Sequence, residues 1–400
     1  MFKWKEKSVR LSTMQMLAAG FLLVIVIGGI LLWLPVCNQE PIAFTDALFT
    51  STSAVCVTGL MTVVPAAQFT LLGKVVLLVL IQIGGLGVVA VSTFFLVVIG
   101  RKITVKERVM IQETYNMESL SGMVKWILRI LKGTFVVEGI GAIFFAFQFI
   151  PEYGFLKGIW YSVFHSISAF CNAGIDILGA DSFAAYARNP LINLTTMILI
   201  VAGGIGYTVW FDITDNIRNF RKKGERRRGM FKILTLNSKV ALTMTAILIA
   251  TGTVSFLFLE FSNPDYAWRI FFWRQGDGSG ISVSDNEDGR ILYRAAGRSK
   301  RRIGVHFLPS DVYRRLPAGT AGGVKTTTIA MLFLTAVTVV KGNKDTECFG
   351  RRIPEENIRT GISVMLMSFT ILMIGTIAVS VIDRRDFLIF CLRRHRQLEQ

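Results

Sequence analysis

A chain of 400 residues that is 52% hydrophobic, with a mean hydropathy of +0.52, holds more apolar side chains than a soluble protein of its length needs to bury. Its formal charge of +17 is not a nucleic-acid signature, because the basic residues cluster between uncharged runs, and nucleic acid is excluded as a partner. The five cysteines (Cys37, Cys56, Cys171, Cys348, Cys391) show no paired spacing, which excludes a disulfide or zinc framework. No nucleophile–base pair marks an enzyme, and no covalent cofactor is implied.

Along the chain, Lys3, Lys5, Lys7 and Arg10 precede an uncharged run over residues 11–39. That run exceeds a signal-peptide core and lacks a small-residue cleavage site, so it reads as a retained membrane span. Residues 42–60 are semi-polar, and a second uncharged run covers 75–100. Arg101, Lys102, Lys106 and Arg108 follow, then a span at about 133–150 and another semi-polar stretch at 153–177. Further uncharged runs cover 191–211 and 361–382, each about as long as the ~20 residues a spanning helix needs. Between them lie Arg218, Arg221, Lys222, Lys223, Arg226, Arg227 and Arg228, and later Lys341, Lys344, Arg351 and Arg352. Basic residues beside spans mark the cytoplasmic side, so the chain is expected to be multi-pass with its N-terminus in the cytoplasm. The same loops could also dock a cytosolic partner.

The semi-polar stretches are too long for turns and too weak for spans, as expected of re-entrant segments. They also repeat. Phe49, Ser51, Ser53, Ala54, Cys56 and Gly59 recur as Phe164, Ser166, Ser168, Ala169, Cys171 and Gly174, all at an offset of 115. Gly84-Gly85-Leu86-Gly87 recurs as Gly203-Gly204-Ile205-Gly206 and again as Gly322-Gly323-Val324-Lys325, each 119 further on. A constant period identifies a repeat architecture. The unit is span, re-entrant loop, span, and each copy returns the chain to the same side. The expected fold is an all-α polytopic membrane protein whose parallel units form a quasi-fourfold, potassium-channel-like pore. The units are 1–100, 101–215, 216–340 and 341–400.

A dehydrated cation needs several oxygen ligands, which backbone carbonyls supply without fixed charge. Glycine lets the backbone reach positive φ and approach the ion. A short helix over residues 46–53 would aim its negative end at the ion. Thr58-Gly59 and Ala173-Gly174 stand where such ligands belong. The run from Ser53 through Cys56, Val57, Thr58 and Gly59 to Leu60 resembles the first filter of the Trk/Ktr/HKT superfamily. The run from Ser168 through Cys171, Asn172, Ala173 and Gly174 resembles its second. Gly319, Thr320, Ala321, Gly322, Gly323 and Lys325, with the threonines that follow, resemble the intramembrane loop that gates such pores. The resemblance covers residues 10–270 and 318–382. It implies K+ uptake, with Na+ as the other transported or regulatory ion, and Gly59 argues for K+. It further implies a lipid-embedded homodimer with one pore per protomer, and a Ktr-like cytosolic nucleotide-binding regulatory subunit. Lys325 either acts at the gate or snorkels to the interface.

The third filter is absent. Residue 289 is its expected glycine position, yet 273–317 carries nine Lys/Arg and five Asp/Glu. A shifted reading of codons allowed for 286–294 gives Thr-Arg-Thr-Ala-Gly-Phe-Tyr-Thr, a third-filter pattern. A frame shift entered near Trp273 and corrected near Ala318 is therefore expected, leaving the third unit damaged. The basic residues 384–400 lead to the expectation of a truncated fourth unit. Gly276 to Gly280 lacks the Lys-Ser/Thr ending of a phosphate loop, and His306 and His395 suggest no metal site. Two alternatives stay open: a secondary transporter with broken helices, for which Glu138 is the candidate membrane carboxylate, and a non-functional frame-shifted membrane protein.

Overall fold

The computed structural model describes residues 13–101, 103–115, 122–179, 182–186, 189–223, 230–260, 326–342 and 345–383. These are mostly helical. Helix α1 (Thr13–Trp33) has no charge on any face and ends where Leu34 meets Pro35, which cannot continue it. Asn38 donates to the carbonyls of Leu32 (2.6 Å) and Leu34 (3.0 Å), satisfying acceptors the helix end leaves open. Helix α2 (Phe44–Val55) packs against α1, and one turn, α3 (Pro65–Gln68), leads to α4 (Leu71–Leu86). Thr70 caps α4, its hydroxyl accepting from Gly73 N at 3.3 Å.

Helix α5 (Val88–Val98) is followed by α6 (Val105–Tyr115), which opens on a capping box. Thr104 N donates to the Glu107 carboxylate at 2.6 Å, and Glu107 N donates to Thr104 Oγ1 at 3.4 Å. The next helices are α7 (Met123–Tyr153), α8 (Phe155–Phe170), α9 (Pro190–Ile205) and α10 (Tyr207–Lys223). Then come the short α11 (Met230–Ile233), α12 (Leu236–Glu260), α13 (Thr326–Val340) and α14 (Glu355–Asp383). Between the last two, β1 (Glu347–Cys348) and β2 (Arg351–Arg352) form a hairpin. Its two turn residues, Phe349 (φ 50°) and Gly350 (φ 70°), are both left-handed, as the right-handed strand twist favours.

Among the described residues, three helices are long and apolar enough to cross a membrane, at 15–33, 123–153 and 355–378. The pairs α4–α5 and α9–α10 qualify only together, and they bend by 103° and 96°. The uncharged runs 75–100 and 191–211, expected as single spans, are thus broken at Gly87 (φ 85°, ψ 140°) and Gly206 (φ 94°, ψ 142°). Only glycine takes that backbone conformation without strain. The span expected at 133–150 is a longer helix. α1, α2, α4, α7, α8 and α9 enclose the core, with Leu32, Leu77, Ile81, Phe145, Phe164 and Phe170 fully buried. Outward, Leu22, Phe147 and Leu366 stay more than three-fifths exposed, an apolar rim suited to lipid.

Candidate functional site

The two glycine-bearing segments follow α2 and α8, and their backbones have the same construction. Cys56 N donates to Thr52 O at 2.8 Å, Val57 N to Ala54 O at 3.3 Å and Thr58 N to Ser53 O at 2.9 Å. At an offset of 115, Cys171 N donates to Ile167 O (2.8 Å), Asn172 N to Ala169 O (3.1 Å) and Ala173 N to Ser168 O (2.9 Å). The last two bonds of each set define a Schellman ending, whose left-handed residue is usually glycine. Here it is Val57 (φ 54°) in one copy and Asn172 (φ 58°) in the other. Asparagine tolerates this region, whereas a β-branched valine there is an outlier held only by its surroundings. Two residues on, Gly59 (φ 68°) and Gly174 (φ 63°) also have positive φ.

The hydroxyls behind each turn are partnered. Thr58 Oγ1 donates to Ser53 Oγ at 2.9 Å; Ser168 Oγ accepts from Ile175 N at 3.1 Å and donates to Ile175 O. Val57, Cys171, Asn172 and Ala173 are buried, Cys56 is exposed, and Thr58, Gly59 and Gly174 are intermediate. The supports repeat too. Ser51 Oγ donates to Ile25 O at 2.8 Å, and Ser166 Oγ donates to Glu138 O at 2.6 Å. A methyl on Gly28 would meet Ser51 and Leu80, and one on Gly141 would meet Ser166 and Leu199, at matching distances.

Helix α4 brings the two segments together. A Cβ on Gly84 would strike the Val55 carbonyl, and one on Gly85 would lie 2.7 Å from Cys171 Cβ. The glycine pair therefore touches the end of α2 with one member and the turn after α8 with the other.

Several neighbours were not evident as partners in the sequence. Gln82 Nε2 donates to both oxygens of the buried Glu138 carboxyl, at 3.1 and 3.2 Å. Each helix break has an aromatic donor: Tyr115 Oη to Leu86 O at 3.1 Å, and Trp210 Nε1 to Ala202 O at 3.0 Å. The bent arm α10 is tied down twice. Arg129 grips Asp215 with both nitrogens (2.8 Å for Nη1), reaches Thr214 at 3.2 Å and lies 4.4 Å from the Phe211 ring centre. Asp212 accepts from Thr235 N and Oγ1, both at 2.8 Å, at the start of α12. The only sequence signal for the first of these was a polar Gln82 and an acidic Glu138 inside apolar runs. Gly319, Thr320, Ala321, Gly322, Gly323 and Lys325, and the segment 273–317, lie outside the described residues. Helices α5 and α10 begin at Val88 and Tyr207, 119 residues apart.

The TrkH family, described as cation transport protein, matches residues 2–289. The chain belongs to this family, within the Ktr/Trk superfamily of membrane transport subunits. Among similar proteins, the potassium/sodium uptake protein NtpJ of Enterococcus hirae is 36% identical over 382 residues, covering 95% of this chain and 81% of that protein. The Ktr system potassium uptake protein B of Bacillus subtilis is 32% identical over 395 residues, covering 96% and 83%. The crystal structure of the potassium transporter TrkH from Vibrio parahaemolyticus shares the fold at a TM-score of 0.59 and 18% identity, over 94% of this chain and 74% of that one.

Proposed function

We propose that this membrane protein takes K+ into the cell through a pore lined by the backbone carbonyls of Cys56, Val57, Thr58 and Gly59 and of Cys171, Asn172, Ala173 and Gly174. The carrying observation is the shared backbone of the two segments, down to a left-handed residue that is not glycine in either copy. Such strain persists where a segment must keep one shape, as ion ligands replacing a hydration shell must. Each segment also stands at the negative end of a helix, which favours a cation. The relatives' names support K+ as the ion, with Na+ as the second candidate. In this reading units 1–100, 101–215, 216–340 and 341–400 surround one pore, residues 319–325 gate it with Lys325, and the N-terminus is cytoplasmic. The chain works as a lipid-embedded homodimer with a cytosolic nucleotide-binding subunit on its basic loops. Neutralising Arg226, Arg227 and Arg228 then weakens co-purification of that subunit; unchanged co-purification removes it from the reading.

Residues 273–317 are, in the same reading, the product of a shifted frame. The test is growth of a K+-uptake-deficient bacterium at low K+, carrying either the chain as written or a version with the frame restored throughout. Rescue by the restored version alone is expected. Rescue by neither, with both in the membrane, defeats the pore; rescue by the chain as written defeats the frame shift.

A further inference from the structure

We infer that Glu138 is a positioning residue for the second ion-facing segment, acting through Gln82 and Cys171, and that it sets how sharply this segment separates K+ from Na+. The inference rests on the pore reading above and names a residue outside the carbonyl ligands.

The geometry is a three-part clasp drawn from different elements. Glu138 on α7 receives the Gln82 amide of α4 on both oxygens, at 3.1 and 3.2 Å. Cys171 Sγ lies 3.9 Å from the Glu138 carboxyl and 3.8 Å from the Gln82 amide oxygen, so the thiol donor faces two acceptors. Gly85 closes the other side, leaving no room for a methyl beside Cys171 Cβ. Cys171 is fully buried, and it directly precedes Asn172, the left-handed residue of the turn. A shift of Cys171 therefore re-aims the carbonyls of 171–174.

The first unit shows that the clasp is not needed to build the fold. Glu138 stands where Ile25 stands, since each gives its backbone carbonyl to the equivalent serine. The same helix seam thus packs with isoleucine in one copy and glutamate in the other. Among the described residues, no basic side chain pairs with Glu138. A buried membrane carboxyl is costly and is kept where function uses it. The cysteines diverge accordingly: Cys56 is exposed where Cys171 is sealed.

The test reads position and selectivity separately. Cys37, Cys56, Cys348 and Cys391 are replaced by serine in the full-length chain, and Cys171 is labelled with N-ethylmaleimide in native membranes. Cys171 is expected to resist labelling in this background and to react about tenfold faster in E138A, the equivalent of one lost hydrogen bond. E138Q, which still accepts from Gln82, stays protected. Q82L opens the same clasp from α4 and decides the matter if E138A fails to reach the membrane. In the uptake-competent version, E138A and Q82L lower the K+/Na+ uptake ratio and E138Q does not. Unchanged protection in E138A and Q82L, or equal labelling of E138A and E138Q, overturns the inference. Labelling as expected without any uptake by the frame-restored parent leaves the clasp standing and defeats the pore reading instead.

Discussion

Replacing Gly84 with alanine tests whether α4 supports the first glycine-bearing segment, the one that follows α2. The added methyl would lie 3.0 Å from the Ala54 carbonyl oxygen and closer still to that of Val55. Both are backbone atoms ending α2, so neither can swing aside as a side chain does. Relief requires α4 and α2 to separate by roughly half an ångström, which forfeits at least a quarter of each dispersion contact along the seam. Overpacking of this kind costs about 1–3 kcal/mol, and a backbone neighbour puts it at the upper end. Alanine returns about 1 kcal/mol of helix propensity, leaving G84A about 2 kcal/mol less stable. Gly139, in the middle of α7, has nothing within 4 Å of its missing Cβ, so G139A keeps the propensity gain alone. The two variants should differ by about 3 kcal/mol, roughly a hundredfold in the folded-to-unfolded ratio. Thermal unfolding of the detergent-solubilised chains, followed by tryptophan fluorescence, reads the order directly. A midpoint for G84A at or above that of G139A refutes the close approach of α4 to the turn after α2.

G87A has space around it but must adopt a φ of 85°, at a cost of about 1–3 kcal/mol. Its unfolding midpoint should fall, whereas G133A, with open space and ordinary helical backbone, should not lose stability in the same scan. R129K keeps the charge but loses the two-pronged grip on Asp215 and the stacking on Phe211. Both partners are about half exposed, so the loss should stay at about 0.5–1 kcal/mol and shrink with added salt, read from midpoints at low and high ionic strength. D212A removes the acceptor for Thr235 N and should cost about 1 kcal/mol, with faster hydrogen exchange at residues 235–238 and little change at α9.

The 115-residue period was legible because small and hydroxyl residues recur at identical spacing, and the structure gives those residues matching hydrogen bonds. The turn ending each helix was legible only in part: Gly59 and Gly174 announce positive φ, but Val57 hides it, since its left-handed state comes from packing and not from its own preference. Hydropathy marked the runs 75–100 and 191–211 as lipid-compatible but carries no information on continuity. A glycine in an apolar run serves equally as a packing contact, as Gly84 does, or as a break, as Gly87 does. The clasp joins residues 56 and 89 positions apart in sequence, and only the packing of α4 against the second unit brings them together.

The paired glycines of α4 bear on how the two copies can evolve. Adjacent positions on a helix point about 100° apart, and here each faces a different copy of the glycine-bearing segment. Duplication ordinarily frees one copy to drift while the other keeps the old task. Here a displacement of one shared helix is inherited by both copies at once, so selection weighs them together. New selectivity is more accessible through residues that touch one copy alone, as Glu138 does, than through the wall the two copies share.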